Sequence, residues 1–276
     1  MIIWLASYPK SGNTWIRLFL DCLLFSKNEF SINRNHITQF PLRSSFSGLT
    51  DNVNNQNEFA KYCIEAQKII NKDKKVKIFK THNALWNWNK GEHFFTDENQ
   101  TLGVIYIVRD PRNIVTSILN YFHKNNYKNA IDFMKKDRVL GGDEDEHGLP
   151  TIIGSWSNHY RSWKKFKKNN LLVRYEDLLN TPEKEFFRIT NFLNTIGNFK
   201  FSKNYILNAI QNCNFENLSK QEDKYGFVSN SDTNKKLNKK FFNLGPSNKW
   251  QDILDLDTRL EVEKLFSEEM KDIGYL

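Results

Sequence analysis

Residues 2–6 (IIWLA) form an unbroken apolar run without helical period, which predicts a buried strand beginning almost at the first residue. Residues 7–14 follow as a turn containing Pro9 and Gly12, and beyond them Trp15, Ile16, Leu18, Phe19, Cys22 and Leu23 recur at helical spacing. Strand, loop and helix are therefore the opening unit. The pattern then predicts a polar loop over 51–57, an amphipathic helix over 58–71, and a second strand over 76–79 that runs out into Lys80-Thr81-His82. A third, strongly apolar strand over 102–108 ends at Arg109-Asp110-Pro111-Arg112, and Pro111 opens a helix with Ile114, Val115 and Ile118 on one face. Residues 135–150 mix Gly141 and Gly142 with an acidic run over 143–146, as a mobile surface segment does. An aromatic-rich helix is expected over 155–166, a fourth strand over 171–175, a helix over 182–193 and a closing helix over 257–270. Residues 220–240 are polar, basic and short of branched apolar side chains; they read as a long loop, either a functional lid or a solvated surface. Strands separated by helical stretches predict a parallel α/β sheet.

With 22 Phe, 10 Tyr and 7 Trp among 276 residues, the chain has the apolar bulk for a core, which excludes disorder as its main state. No repeat or domain boundary is visible, so a single domain over 1–276 is expected. No stretch approaches the roughly 20 apolar residues of a membrane span. The net charge of +8 points mildly to an anionic partner, without separating nucleic acid from a small phosphate-bearing ligand. Cys22, Cys63 and Cys213 offer no close pair, which argues against a disulfide framework or a CxxC zinc site and fits a reducing compartment. Residues 1–9 lack the basic start of a signal peptide, so the expected location is cytoplasmic.

In open parallel sheets, ligands sit at the carboxyl ends of the strands, so the residues leaving these strands carry the chemistry: Lys10, Lys80, His82, Arg109 and Tyr175. Three cations and an imidazole at one sheet edge make an anion site with a potential base. The first of these exits is Tyr8-Pro9-Lys10-Ser11-Gly12-Asn13-Thr14-Trp15. A loop opening a helix offers unpaired N–H groups and the positive end of a dipole to a phosphate, and here Lys10 adds a charge and Thr14 a hydroxyl. It is not a Walker A loop, because Lys10 precedes Gly12. Taken alone, the octapeptide also fits an ordinary strand-to-helix turn with an exposed lysine.

This octapeptide resembles the 5′-phosphosulfate-binding loop, YPKSGTTW, of sulfotransferases that use 3′-phosphoadenosine 5′-phosphosulfate (PAPS), most of all the cytosolic type and its bacterial relatives. Seven of eight positions match, and Asn13 departs. The likeness continues in order along the chain. Phe79-Lys80-Thr81-His82 is similar to the family's segment after the second strand, and the stretch from Tyr106 to Asn113, with Ser117, is similar to its 3′-phosphate-binding strand and helix. Tyr175-Glu176-Asp177 is similar to its YED, and Gly245 with Trp250 to its RKGxxGDW segment. The resemblance implies a single α/β domain with a central parallel sheet flanked by helices, the P-loop-nucleotide-kinase-like sulfotransferase fold. It also implies a PAPS-dependent sulfotransferase acting on a hydroxyl, with an amine as the lesser alternative, PAPS as co-substrate and no metal. By resemblance, Lys10 meets the oxygen bridging phosphate and sulfate, and the backbone of Ser11, Gly12, Asn13 and Thr14 holds the 5′-phosphate. Lys80 supports the sulfuryl group, and His82 is the general base. Arg109 and Ser117 hold the 3′-phosphate, Trp15 and Phe215 stack on the adenine, Tyr175 hydrogen-bonds beside it, and Gly245 belongs to the same pocket. Standing alone, His82 also fits a structural histidine and Arg109 a structural salt bridge. His123 and His159 read as structural, and Glu176 and Asp177 as caps of the following helix.

One segment departs from the pattern. Where the family has Arg-Lys-Gly, this chain reads Asn243-Leu244-Gly245, two cations short; Lys235, Lys236, Lys239 and Lys240 are candidate substitutes, beside backbone N–H groups. Two other functions stay open. A P-loop-type nucleotide kinase is disfavoured by the position of Lys10 and the want of a metal-binding Asp. A non-catalytic binder of adenine nucleotide or RNA is disfavoured by the few aromatics among the lysines of 220–240. The expected acceptor is a small molecule or glycan, and nucleic acid is not an expected partner. Residues 83–99, with Trp86, Trp88, His93, Phe94 and Phe95, and residues 135–150 are expected to line its pocket. The family's KxxxTVxxxE dimer motif is not found in 252–276, which leaves the oligomeric state open.

Overall fold

Every residue of β1 (Ile2–Ser7) is buried, so the side chains that alternate along it meet a core on both sides. The computed structural model describes residues 1–26, 30–121, 126–142, 148–227, 240–242 and 245–276. His123, the acidic run at 143–146, Lys235, Lys236, Lys239, Asn243 and Leu244 lie outside the described residues. After β1 come α1 (Asn13–Phe25), α2 (Gln56–Asn71), β2 (Lys77–Thr81), the two-residue strands β3 (Asn87–Trp88) and β4 (His93–Phe94), and β5 (Thr101–Val108). They are followed by α3 (Pro111–Tyr121), α4 (Tyr127–Lys135), the short β6 (Val139–Leu140) and β7 (Thr151–Ile152), α5 (Trp156–Lys164) and β8 (Asn170–Arg174). The chain closes with α6 (Tyr175–Asn180), α7 (Pro182–Gly197), α8 (Lys203–Asn212), α9 (Phe215–Tyr225), α10 (Trp250–Ile253), α11 (Leu256–Leu265) and α12 (Ser267–Ile273).

The central sheet is parallel, in the order β2-β1-β5-β8, while β3 pairs with β4 and β6 with β7 as antiparallel ribbons. Ile2, Trp4 and Ala6 face a layer containing Phe40, Phe95, Tyr106 and Trp163. Ile3 and Leu5 face the opposite layer, built by Ile16 and Phe19 of α1 and by Phe186 and Ile189 of α7. The buried indole of Trp4 donates to Thr101 Oγ1 at 2.9 Å, so its polar atom carries no burial penalty. From β1 the chain builds β2 on one side and later β5 and β8 on the other. The sheet's switch point therefore lies between β1 and β5, where residues 8–12 and 109–110 emerge.

Three expectations need correction. The loop read over 220–240 is helical through residue 225: Asn214 caps α9 by accepting from the Asn217 N–H at 2.8 Å, and Glu216 pairs with Lys220 one turn on. Leu218 is its one buried residue and Phe215 packs beside it on the core, so the apolar content of the stretch is low. The closing helix is two, broken at Phe266, whose buried ring packs on Trp156 at 5.1 Å between centroids. The fourth strand stops at Arg174, and Tyr175 opens α6.

Phe186 is fully buried with its ring centroid 4.0 Å from that of Phe19. Phe186→Ala is expected to cost about 3–5 kcal/mol in urea unfolding. Phe94→Ala, at a ring 45% exposed, is expected to stay within about 0.5 kcal/mol of the parent. Equal costs would refute this layering.

Candidate active site

The loop at the switch point is strained and tightly fitted. Lys10 has φ 68, a left-handed conformation costing a non-glycine residue about 1–3 kcal/mol, and Arg109 Nη1 braces it by donating to the Lys10 carbonyl at 3.1 Å. Gly12 precedes α1 at φ 99, and a Cβ there would stand 2.3 Å from Tyr175 Cδ2; only glycine lets that ring lie against the loop. Among the described residues no side chain caps α1, so its first-turn N–H groups and positive dipole end face the loop. The Ser11 amide is already engaged with the Tyr8 carbonyl at 3.3 Å. Ser11 Oγ and Arg109 Nε, in contrast, are buried without a hydrogen-bond partner among the described residues. Two orphaned donors beside a cationic loop fit the oxygens of an anion.

Charge of one sign gathers around this loop. Burial lowers Lys10 to about 7, and the like charges of Arg109 and Lys80 add to the effect. The Lys10 ammonium also lies 5.0 Å from the centre of the Phe241 ring. Lys80 pairs with Leu5 across the β1–β2 register, so its side chain leaves on the α1 face of the sheet with Leu5 and Ile78. Burial lowers it to about 7 as well, helped by Arg17, which rises from α1 on that face. Arg17 was not among the sequence candidates. Its signal was a lone charge inside the apolar run Trp15-Ile16-Arg17-Leu18-Phe19.

His82 stands next to these cations. Its Nδ1 lies 2.7 Å from the Ser7 carbonyl oxygen and 3.3 Å from Ser7 Oγ. A carbonyl only accepts, so Nδ1 carries the proton and Nε2 is the ring's acceptor. Burial, with Lys80 next, holds the imidazole well below its ordinary pKa and therefore neutral. Asn13 Nδ2 donates to Ser7 Oγ at 3.1 Å and to the Leu5 carbonyl at 3.0 Å, tying the start of α1 to the end of β1.

The remaining candidates spread around this centre. Arg109 stacks on Tyr175 at 4.3 Å, and Trp15 meets Tyr175 edge-on at 6.0 Å while its indole donates to the Cys213 carbonyl at 2.7 Å. Phe215 packs on Gly245, where a Cβ would fall 2.1 Å from the ring. Thr14 and Ser117 are half-buried on α1 and α3. The segment after Gly245 docks on α3: the Trp250 N–H donates to Asn113 Oδ1 at 2.9 Å, and Thr116 Oγ1 donates to Asn248 Oδ1 at 2.7 Å. Lys240, a candidate substitute for the missing cations, instead pairs with Asp223. Glu176 does not cap α6; it accepts from the Asp110 N–H at 3.0 Å and the Tyr275 hydroxyl at 2.6 Å. Of the aromatics expected around an acceptor, Trp86 and Phe95 are buried in the core, Trp88 donates to Asn57, and Phe94 faces solvent.

A family model described as the sulfotransferase domain matches residues 2–274. Sulfotransferase 1B1 of Canis lupus familiaris is 27% identical over 195 residues, which span 68% of this chain and 57% of that protein. Amine sulfotransferase of Oryctolagus cuniculus is 22% identical over 275 residues, 98% of this chain and 81% of that protein. Mouse sulfotransferase SULT7A1 complexed with PAP shares the fold with a TM-score of 0.60 at 19% identity, covering 99% of this chain and 86% of that one. Retinol dehydratase in complex with androsterone and the inactive cofactor PAP also gives 0.60, at 18% identity, with 98% and 81% covered.

With Lys10 and Lys80 at about 7, an anion bound above that pH must return protons to them. Inorganic sulfate, which does not titrate in this range, is expected to bind with proton uptake at pH 8 in calorimetry across buffers of different ionisation enthalpy. Its affinity is expected to fall above pH 7 by up to about tenfold per pH unit per lysine. Constant affinity from pH 7 to 9 would show that both ammonium groups are charged without a ligand.

Proposed function

This chain belongs to the sulfotransferase domain family, the PAPS-dependent sulfotransferases, and we propose that it moves a sulfuryl group to a hydroxyl of a small acceptor with His82 as general base. The observation that carries this reading is the imidazole of His82, fixed through Nδ1 to the Ser7 carbonyl and offering Nε2 beside Lys10 and Lys80. When bound, PAPS supplies an activated sulfuryl group whose departure leaves an anion behind. Such transfers pass through loose, in-line transition states in which positioning and charge compensation supply most of the catalysis.

The chain's residues divide that work. Ser11 Oγ and the amides of Gly12, Asn13 and Thr14 hold the 5′-phosphate, and Lys10 compensates charge on the leaving side. Lys80 supports the sulfuryl oxygens from the α1 face, with Arg17 behind it. Arg109, through the donor it leaves unpaired, and Ser117 take the 3′-phosphate, while Trp15, Tyr175, Phe215 and Gly245 wall the adenine. Nε2 of His82 takes the acceptor's hydroxyl proton. A structural neighbour that holds androsterone beside PAP supports a small-molecule acceptor.

With radiolabelled PAPS and a panel of small hydroxyl acceptors, the purified protein is expected to give labelled product. His82→Ala is expected to lower turnover by about 10²–10⁴-fold, the range for lost acid–base catalysis. Its affinity for PAP in calorimetry should stay within about threefold. Full turnover in His82→Ala would remove His82 from the chemistry, and joint loss of turnover and PAP binding would make it structural.

A further inference from the structure

We propose that His159 is a positioning residue for this reaction: through the His82 carbonyl it fixes where the catalytic imidazole stands. The proposal rests on the reading of His82 as base. One face of α5 carries His159, Ser162 and Trp163, at spacings of three and four residues. Each is bonded to the segment that leaves β2. His159 Nε2 lies 3.2 Å from the His82 carbonyl oxygen, Ser162 Oγ accepts from the Leu85 N–H at 2.9 Å, and Trp163 Nε1 donates to the Asn83 carbonyl at 2.9 Å. The Ala84 N–H donates to the Ile152 carbonyl at 2.8 Å, so every residue from 82 to 85 has a main-chain tether.

The tautomer of His159 follows from its partners. The His82 carbonyl only accepts, so Nε2 of His159 carries the proton, and Nδ1 receives the Tyr106 hydroxyl at 2.9 Å. The ring is wholly buried, edge-on to Tyr8 at 5.6 Å between centroids, and burial lowers its pKa to about 3, so it stays neutral. A buried Tyr–His pair is costly unless every polar atom is satisfied, and a pair of apolar side chains fills such space more cheaply. Here the far end of the pair is spent on the main chain of one residue, His82. That residue is then held at two points, its ring by Ser7 and its carbonyl by His159. Loss of the second tether lets the Cα of His82 drift, and misplacement by about 1 Å costs up to about 10²-fold in rate.

The test compares His159→Leu, which removes the donor, with His159→Gln, which restores an N–H able to reach the carbonyl. In His159→Leu, kcat is expected to fall about 10–100-fold, with KM for PAPS and affinity for PAP within about threefold. His159→Gln is expected to recover most of that loss. Independently of turnover, ¹⁵N spectra of the unliganded protein are expected to show His82 as a single Nδ1–H tautomer in the parent and an averaged ring in His159→Leu. Parental kcat and an unchanged His82 spectrum in His159→Leu would overturn the proposal. So would a loss of PAP affinity that glutamine fails to rescue, the sign of a merely structural residue. Should His159→Leu fail to fold, Tyr106→Phe removes a single hydroxyl and answers by the same two readouts. Should His82→Ala keep full turnover, the base reading fails, while the ¹⁵N comparison still decides whether His159 orders His82.

Discussion

The parallel pairing of β1 with β2 sets Leu5 opposite Lys80 and Ala6 opposite Thr81, and the geometry of the site depends on that register. It sends Lys80 to the α1 face, and it brings the next residue pair, Ser7 and His82, level at the sheet edge. A slip of one residue would turn Lys80 into the Trp4 and Phe40 layer and take His82 away from the Ser7 carbonyl. β1, apolar toward both layers, does not resist the slip by itself; what opposes it is the cost of burying Lys80 among apolar rings and the loss of the bond between His82 Nδ1 and the Ser7 carbonyl.

The parts of this arrangement legible in the sequence are those that burial writes as long apolar runs. β1 and β5 are buried strands of a parallel sheet, and both their ends and the residues leaving them stand out from the pattern. Elements held by one anchor or by polar caps leave little trace. Helix α9 rests on Leu218 and the half-buried Phe215, with an Asn214 cap and a surface ion pair, in a stretch too polar overall to stand out. Trp86 and Phe95 illustrate the opposite failure: an aromatic cluster near a predicted site is indistinguishable, residue by residue, from core. Other contacts between distant segments were not legible. Arg17 beside Lys80, Glu176 between Asp110 and Tyr275, and His159 beneath His82 each join residues far apart in the chain, and each takes its meaning from a partner that only the fold supplies.

Gly245 takes its place from packing on two sides. The segment beyond it is anchored on α3 through Asn113, Thr116, Asn248 and Trp250, and the Trp250 ring lies under Arg112 at 3.9 Å and Arg259 at 5.0 Å. Both arginines are tied in turn to Glu263, and Arg112 also to Asp110, at the end of β5. The contact of Gly245 with Phe215 is therefore built from one side by α9 and from the other by this α3–α11 network.

The electrostatics of the site carry the opposite sign from a structure selected for stability alone. Lys10, Arg17, Lys80 and Arg109 are drawn together, and burial lowers the pKa of Lys10, Arg17 and Lys80. The acid near Arg17, Asp21, is occupied with the His36 and Ile37 N–H groups at 2.8 and 3.2 Å. Lys10 also takes a left-handed conformation, and Ser11 Oγ and Arg109 Nε remain buried without described partners. Each of these features costs free energy in the unliganded chain, and the lowered cations and orphaned donors are relieved by the same change, the arrival of negative charge at the switch point. Orphaned donors and lowered cations that share one remedy, on a loop held in a strained conformation, are better explained by a ligand than by separate imperfections of packing.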